Sequence, residues 1–197
     1  MSFICDFLEP KDMLMKLIRE GNRINFEDDI INLSDHFFNF SVTAHSLRDW
    51  CIKYLILHGM KDSAQLNKEW GSKDFLIVAK DIANSVKHFG VDRYTPKVSN
   101  SERDSAKSIS IYTNENVPEK LILSMSDKNF REERSKEHPS YVIRFEDGKE
   151  IQLDSYVFST VNYWVKFFDE KSLPRDKSFD EKLVYVNRQC WHKYIRQ

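Results

Sequence analysis

Apolar residues recur at helical spacing through the first 91 residues, and the longest such run extends from Ser34 to Gly59. Ser34 is a suitable N-cap, and Gly59 stands where a terminating glycine is expected. The main apolar stripe consists of Phe37, Phe40, Ala44, Leu47, Cys51 and Leu55. Other apolar residues, among them Ile52 and Ile56, fall on further sides of this helix. We therefore expect a central helix that is packed all round.

Two shorter helices are predicted, one before and one after this central helix. The first begins at Pro10 and ends at Gly21, and residues 22–33 form a connection. After a polar link, the next helix begins at Ser72 and ends at Gly90. Its apolar residues make one narrow stripe, so we expect it to cover the core with one face only.

The hydrophobic period changes to two in the second half of the chain. Residues 92–107 are polar and predict a loop. Alternating runs then predict strands at residues 108–111, 121–125 and 141–145. Asp147 and Gly148 follow the last of these runs and predict the tight turn of an antiparallel hairpin.

Helical spacing returns near the C-terminus. Asp154 is the expected N-cap of a helix whose apolar side includes Phe158 and Trp164. Ser178 and Glu181 have the spacing of a capping box, which predicts one more helix.

The predicted fold is α+β, with an N-terminal helical bundle followed by a small antiparallel sheet with C-terminal helices. The bundle covers residues 1–91, the loop 92–107, and the hairpins with one or two helices 108–197. The three parts are expected to form one compact domain.

Composition excludes several classes of protein. The chain has 30 basic and 31 acidic residues and a net charge of -1, which is not the footprint of a general nucleic-acid binder. Three dispersed cysteines without a CxxC pair argue against a disulfide framework and a zinc ribbon. The N-terminus lacks a secretory pattern, and no apolar run approaches the ~18 residues of a membrane span. We expect a cytoplasmic protein without a membrane segment, metal or cofactor.

The first candidate site is formed by His45, Arg48 and Asp49, which share one face of the long helix. His45 and Asp49 fall within an apolar stripe, where ionisable groups must be paired. One interpretation is a structural tie between helices. The other is a functional site in which the histidine acts as acid or base and the arginine holds a phosphate.

The second candidate site lies on the helix that ends at Gly90 and consists of Asp81, Asn84, Ser85 and His88. These residues fall opposite the apolar stripe, which predicts a solvent-exposed face. The alternative is a face that lines a cleft or meets another protomer, with Asn84 and His88 directed together at a ligand and Lys87 adding a phosphate contact.

Two weaker candidates lie further along the chain. Arg131 and His138 are close in sequence, but we expect both in a charged loop. Trp191 and His192 stand in a basic tail and predict either a packed tryptophan or a phosphate contact.

Two segments of the first half resemble a family of bacterial proteins that has no assigned function. They are DHFFNFSVTAHSLRDWCIK at 35–53 and KDIANSVKHFG at 80–90. The family's later strand turn and aromatic helix are matched by 146–148 and 163–168. The resemblance covers roughly residues 10–170.

A more remote similarity is to the HEPN helical bundles, many of which are RNases of toxin–antitoxin and anti-phage systems. These enzymes use an arginine, a polar residue and a histidine at short spacing. Arg48 is followed by the polar Asp49, but the next histidine is His58. A nuclease site of this type therefore has to combine Arg48 with His88 of another helix, within one chain or across a dimer.

Three functions follow as hypotheses. One is an interaction or regulatory module of a mobile-element or anti-phage defence locus, with a protein partner and with a homodimer as one form. Another is a metal-independent HEPN-like RNase, whose partner is RNA. The third is a structural subunit of a larger complex. The residues assigned to catalysis are His45, Arg48, Asn84 and His88, and those assigned to binding are Asp49, Asp81 and Lys87.

Overall fold

The structure is a computed structural model that describes residues 4–60, 62–88, 90–91, 93–112, 136–175 and 186–192. Within these residues it contains five helices and a four-stranded antiparallel sheet. Four helices precede the sheet and one lies near its end, which confirms the α+β class.

The first two helices are longer than the sequence predicts. Helix α1 spans Pro10–Phe26 and helix α2 spans Ile30–Leu57, so most of the predicted 22–33 connection is helical. Gly21 does not end α1. A Cβ on Gly21 would lie 3.1 Å from Val157 Cγ1, so glycine allows α1 to approach a neighbouring helix closely.

The N-cap of α2 is Asp29, and the prediction of Ser34 is wrong. The Asp29 carboxylate accepts hydrogen bonds from the amides of Ile31 and Asn32. Ser34 lies one turn inside the helix, where its Oγ donates to the Ile30 carbonyl. The C-terminal end is confirmed, because α2 stops just before Gly59, whose φ is +103°.

The packing of α2 is only partly as predicted. The main stripe is buried from Phe37 to Cys51, and Leu55 is half-buried. The expectation of neighbours on every side is wrong, since Ile56 and Leu57 are largely exposed. Within the described part of the chain, only the end of α2 is free of neighbours on these sides, because Cys51 is buried and Leu55 still packs against the core.

Two further helices follow α2. Helix α3, Ala64–Trp70, occupies the predicted polar link, and α4, Asp74–His88, begins two residues after the predicted Ser72. The prediction that α4 buries only one face is wrong for the first half of the helix. Four consecutive residues there are buried, namely Leu76, Ile77, Val78 and Ala79. Helix α4 is thus enclosed on several sides where it passes α2 and α3.

The sheet has the strand order β3-β2-β1-β4. The strands are β1 Val98–Tyr112, β2 Lys136–Phe145, β3 Glu150–Gln152 and β4 Val186–His192. The alternating runs at 108–111 and 141–145 are confirmed as strands, and the run at 121–125 lies outside the described residues. The turn between β2 and β3 is also confirmed, with Gly148 at φ +84°.

Two predictions fail in the sheet. Residues 98–107, predicted as loop, belong to β1, because their backbone pairs with β2 and needs no apolar side chains of its own. The final helix predicted from Ser178 is wrong over 186–192, which pair with β1 as β4. The predicted start at Ser178 lies outside the described residues.

Helix α5, Leu153–Glu170, packs its aromatic face against the other helices. Its N-cap is Gln152, and Asp154 lies in its first turn, so the predicted cap is displaced by two residues. Trp164 is fully buried as expected, but Phe158 is 58% exposed. The ring of Trp164 packs against Trp70 of α3, which encloses one side of the cavity described next.

Candidate functional site

A cavity of about 250 Å³ lies where α2, α3, α4 and α5 meet. We call it the four-helix cleft. Its lining consists of Ala44, His45, Arg48, Asn67, Trp70, Gly71, Leu76, Ile77, Ala79, Lys80, Lys97 and Trp164. Buried apolar side chains form its floor, and polar side chains that are partly or largely exposed form its rim.

Large and small side chains together produce the floor. Ala44 and Ala79 are buried on facing helices, and their small side chains leave space between α2 and α4. Trp70 is held in place because its Nε1–H donates to the Tyr163 hydroxyl at 2.8 Å. That hydroxyl in turn donates to Glu69 Oε1 at 2.7 Å. Burial raises the pKa of Tyr163, which keeps the hydroxyl protonated as the donor of this chain.

The rim is cationic. Arg48 comes from α2, Lys80 from α4 and Lys97 from the segment before β1, and His45 lies one turn before Arg48. None of the lining residues that the structure describes is acidic. The cleft therefore combines an apolar floor with positive charge from three separate elements.

The charge of Arg48 is only weakly balanced by its neighbour. Its Nε lies 3.4 Å from Oδ1 of Asp49, whose side chain is 65% exposed. Exposed pairs of this kind contribute about 0–1 kcal/mol, since water screens both charges. Asp49 accepts hydrogen bonds from Arg48, as the structural interpretation predicts. Its side chain is exposed and has no contact with another helix among the residues that the structure describes, so the predicted tie between helices is not found at Asp49.

Asp81 holds the other two cations of the rim. Its carboxylate accepts the backbone N–H groups of Lys97 at 2.7 Å and of Val98 at 3.2 Å. It also lies 3.4 Å from Lys80 Nζ and accepts a hydrogen bond from the Tyr94 hydroxyl at 2.8 Å. Asp81 is 2% exposed, so the predicted solvent-exposed face is wrong at this position. Its acceptors fix the segment that carries Lys97.

Tyr94 completes this junction. Its ring lies 3.9 Å from Lys80 Nζ, and its hydroxyl accepts a hydrogen bond from Asn84 Nδ2 at 3.2 Å. Burial, with a further contribution from its bond to Asp81, raises the pKa of Tyr94 to about 12. Asn84 therefore contacts Tyr94 and is not among the described residues that line the cleft.

The predicted site residues are thus divided. His45 and Arg48 line the cleft together, whereas Asp81 and Asn84 build its support. The backbone of Lys87 and His88 forms the last turn of α4, and their side chains lie outside what is described.

Sequence reasoning missed Lys80, Lys97 and the tryptophans of the floor. Lys97 fell in the predicted loop, and Trp164 was assigned to core packing alone. The one available signal was Lys80, which directly precedes the candidate Asp81 in the segment with the family resemblance.

His138 lies on β2, and its predicted place in a charged loop is wrong. Its side chain is buried, and Nδ1 lies 2.5 Å from Oδ1 of Asp28. This contact joins the sheet to the connection between α1 and α2. Arg131 and the side chains of Trp191 and His192 lie outside the described residues.

Two kinds of feature are absent from the described part of the chain, a membrane-spanning helix and a metal-binding cluster. No helix there is both long and apolar enough to span a membrane. No group of three or more histidine, cysteine, aspartate or glutamate residues there has the arrangement of a metal site.

Fold and cleft together define an α+β protein with a small cation-rimmed cavity between its helices. No protein-family model, curated protein or solved structure matches the chain.

Proposed function

We propose that this protein is a cytoplasmic interaction or regulatory module, and that the four-helix cleft binds the small anionic ligand to which it responds. The observation that carries the proposal is the charge of the rim. Arg48, Lys80 and Lys97 line one cavity without an acidic residue among its described lining. A protein partner, a homodimer and a defence locus as the setting stay predictions from the sequence.

Electrostatics favours an anion at this position. The three like charges of the rim repel each other, although the ion pair of Lys80 with Asp81 offsets part of that repulsion, and an anion between them reduces it further. Each charge-assisted hydrogen bond to the anion contributes about 1.5–3 kcal/mol. The buried aromatic floor excludes water from one side, which strengthens these interactions relative to those of exposed lysines.

The volume of the cleft limits the size of the ligand. About 250 Å³ lies below the roughly 300–1,000 Å³ of pockets that hold drug-sized molecules. A single phosphate or carboxylate on a short carbon frame can be enclosed in this volume, whereas a dinucleotide would extend out of the cleft over its rim.

Calorimetric titration with inorganic phosphate and with small phosphomonoesters tests the proposal. We expect saturable binding, and we expect Arg48→Gln to weaken it by about tenfold or more, because a charge-assisted hydrogen bond is lost. Arg19→Gln is the matched control, since Arg19 is exposed on α1 and is not among the described lining residues. Equal affinities of the two variants, or no binding by the wild-type protein, would refute the proposal.

The second candidate function is the metal-independent RNase. It is supported by one observation, the presence of His45 and Arg48 in the same cleft. In this reaction His45 removes the proton of a ribose 2′-hydroxyl, and the 2′-oxygen attacks the phosphorus. The bond to the 5′-oxygen breaks, which gives a 2′,3′-cyclic phosphate and a 5′-hydroxyl protonated by solvent. Arg48 stabilises the charge on the phosphate oxygens.

Incubation of the pure protein with total RNA in EDTA tests this candidate. Cleavage that is lost in both His45→Ala and Arg48→Gln, and kept in Arg19→Gln, would support an RNase. If the wild-type protein leaves RNA intact, or if all variants cleave it equally, the RNase function is excluded and the binding module stands alone.

A further inference from the structure

The floor of the four-helix cleft contains a buried hydrogen-bond donor that has no acceptor in the described part of the chain. Trp164 lines the cleft and is 0% exposed, and its Nε1 makes no hydrogen bond to any residue that the structure describes. The neighbouring Trp70 differs, because its Nε1 donates to Tyr163. The large majority of buried side-chain polar atoms in proteins are hydrogen-bonded, so the unpaired indole N–H of a residue that lines the cleft needs an explanation.

Packing alone does not account for a tryptophan at this position. The ring of Trp164 lies against Trp70, Tyr163 and Phe167, with centroid distances of 5.4–5.6 Å. Contacts of this kind need an aromatic ring and no polar atom. The indole N–H adds one hydrogen-bond donor to the ring. That donor stabilises the protein or a complex only when an acceptor reaches it.

We propose that the Trp164 indole N–H donates to an oxygen atom of the ligand in the four-helix cleft and that the ligand carries a phosphate group. This inference rests on the proposed function, in that it requires an anion in the cleft. Trp164 is then the residue that determines which anion is bound.

Two features of the cleft select phosphate over other anions. Its rim carries Arg48, Lys80 and Lys97, and a phosphomonoester has a charge of about −1.5 to −2 at neutral pH, whereas a carboxylate has −1. A tetrahedral phosphate also directs oxygens to different sides, so that some meet the cations of the rim while another meets the indole of the floor. A halide cannot direct acceptors to both at once.

Nuclear magnetic resonance of the indole N–H groups of the ¹⁵N-labelled wild-type protein tests the inference directly. The chain has four tryptophans, so few indole signals need to be assigned. We expect inorganic phosphate to move the Trp164 signal downfield, with the same saturation curve that calorimetry gives for binding. The Trp50 signal is the internal control, since Trp50 is on α2 and is not among the described lining residues, and it should stay in place. Sodium acetate and sodium chloride should move the Trp164 signal little at equal ionic strength.

The outcomes separate this inference from the proposed function. If calorimetry detects phosphate and the Trp164 signal does not move, the inference is wrong while anion binding in the cleft stands. If phosphate does not bind at all, both are wrong. If acetate binds as tightly as phosphate, the claim that the cleft selects phosphate is wrong. Trp164→Phe gives an independent measure, with an expected loss of affinity of about tenfold. Should this variant fail to fold, the wild-type signal, assigned through bonds, still decides the question.

Discussion

Replacement of Asp81 by alanine tests the junction that positions the rim of the four-helix cleft. Asp81 is 2% exposed and accepts hydrogen bonds from the backbone of Lys97 and Val98 and from the Tyr94 hydroxyl. Alanine removes both carboxylate oxygens, which accept these three hydrogen bonds, and offers no replacement. The donors then remain in a site that is largely closed to water.

The magnitude follows from the burial of each donor. The Val98 N–H is buried, and an unsatisfied group of this kind costs about 1–3 kcal/mol. The Lys97 N–H and the Tyr94 hydroxyl are partly buried and recover some bonding from water, so each contributes less. We expect Asp81→Ala to lower the free energy of unfolding by about 3 kcal/mol in total. For a chain of this size, that corresponds to a fall in Tm of roughly 6–12 °C.

Urea denaturation followed by circular dichroism measures the effect. Asp49→Ala is the matched control, because the Asp49 side chain is 65% exposed and its replacement should change stability by no more than about 0.5 kcal/mol. The loss of stability in Asp81→Asn should lie between those of Asp81→Ala and Asp49→Ala, because the asparagine amide oxygen keeps one acceptor. If Asp81→Ala is no more destabilising than Asp49→Ala, the junction does not hold Lys97 in the way described.

Three further predictions concern other parts of the fold. Gly21→Val should destabilise the protein by about 1–3 kcal/mol in thermal or urea unfolding, because the added carbons meet Val157 and Phe40 between tightly packed helices; no loss of stability would refute the close approach. Gly148 has a φ of +84°, so Gly148→Ala should lower the free energy of unfolding by about 1 kcal/mol. Gly148→Asn should lower it less, because asparagine tolerates positive φ better than alanine. Equal stabilities of the two variants would contradict the turn geometry. Because its folded-state pKa is raised to about 12 from its usual value of about 10, Tyr94 contributes stability that is present below pH 10 and is lost as the pH rises from about 10 to 12. The stability advantage of the wild-type protein over Tyr94→Phe should therefore shrink across that window, and a difference that stays constant would show that Tyr94 is not buried.

Local sequence patterns predicted several elements of the fold. The helical period located α2 and its buried face, and Asp147 with Gly148 located the hairpin, because both signals arise from residues near each other in the chain. Helix ends were less well predicted. Gly21 resembles a helix stop in sequence, but its role is to let another helix approach, and that requirement comes from Val157 far along the chain.

The candidate site was found only in part for a similar reason. His45 and Arg48 were evident, since polar groups on an apolar face are visible in the sequence. Lys97 was not, because its place depends on a carboxylate from another element. The polar strand β1 was read as a loop, because its stability comes from backbone pairing with partners that no local pattern reveals.

The sequence by itself therefore determined where α2 lies, which side of it is buried through most of its length, and that ionisable groups lie on that helix. Only the tertiary structure decided what those groups do. It joined Arg48 with two lysines from other elements above an aromatic floor, and it placed Asp81 in contact with both of those lysines. The physical reason is that helical period and capping act within a few residues, whereas a cavity and its charge arise where elements distant in sequence meet.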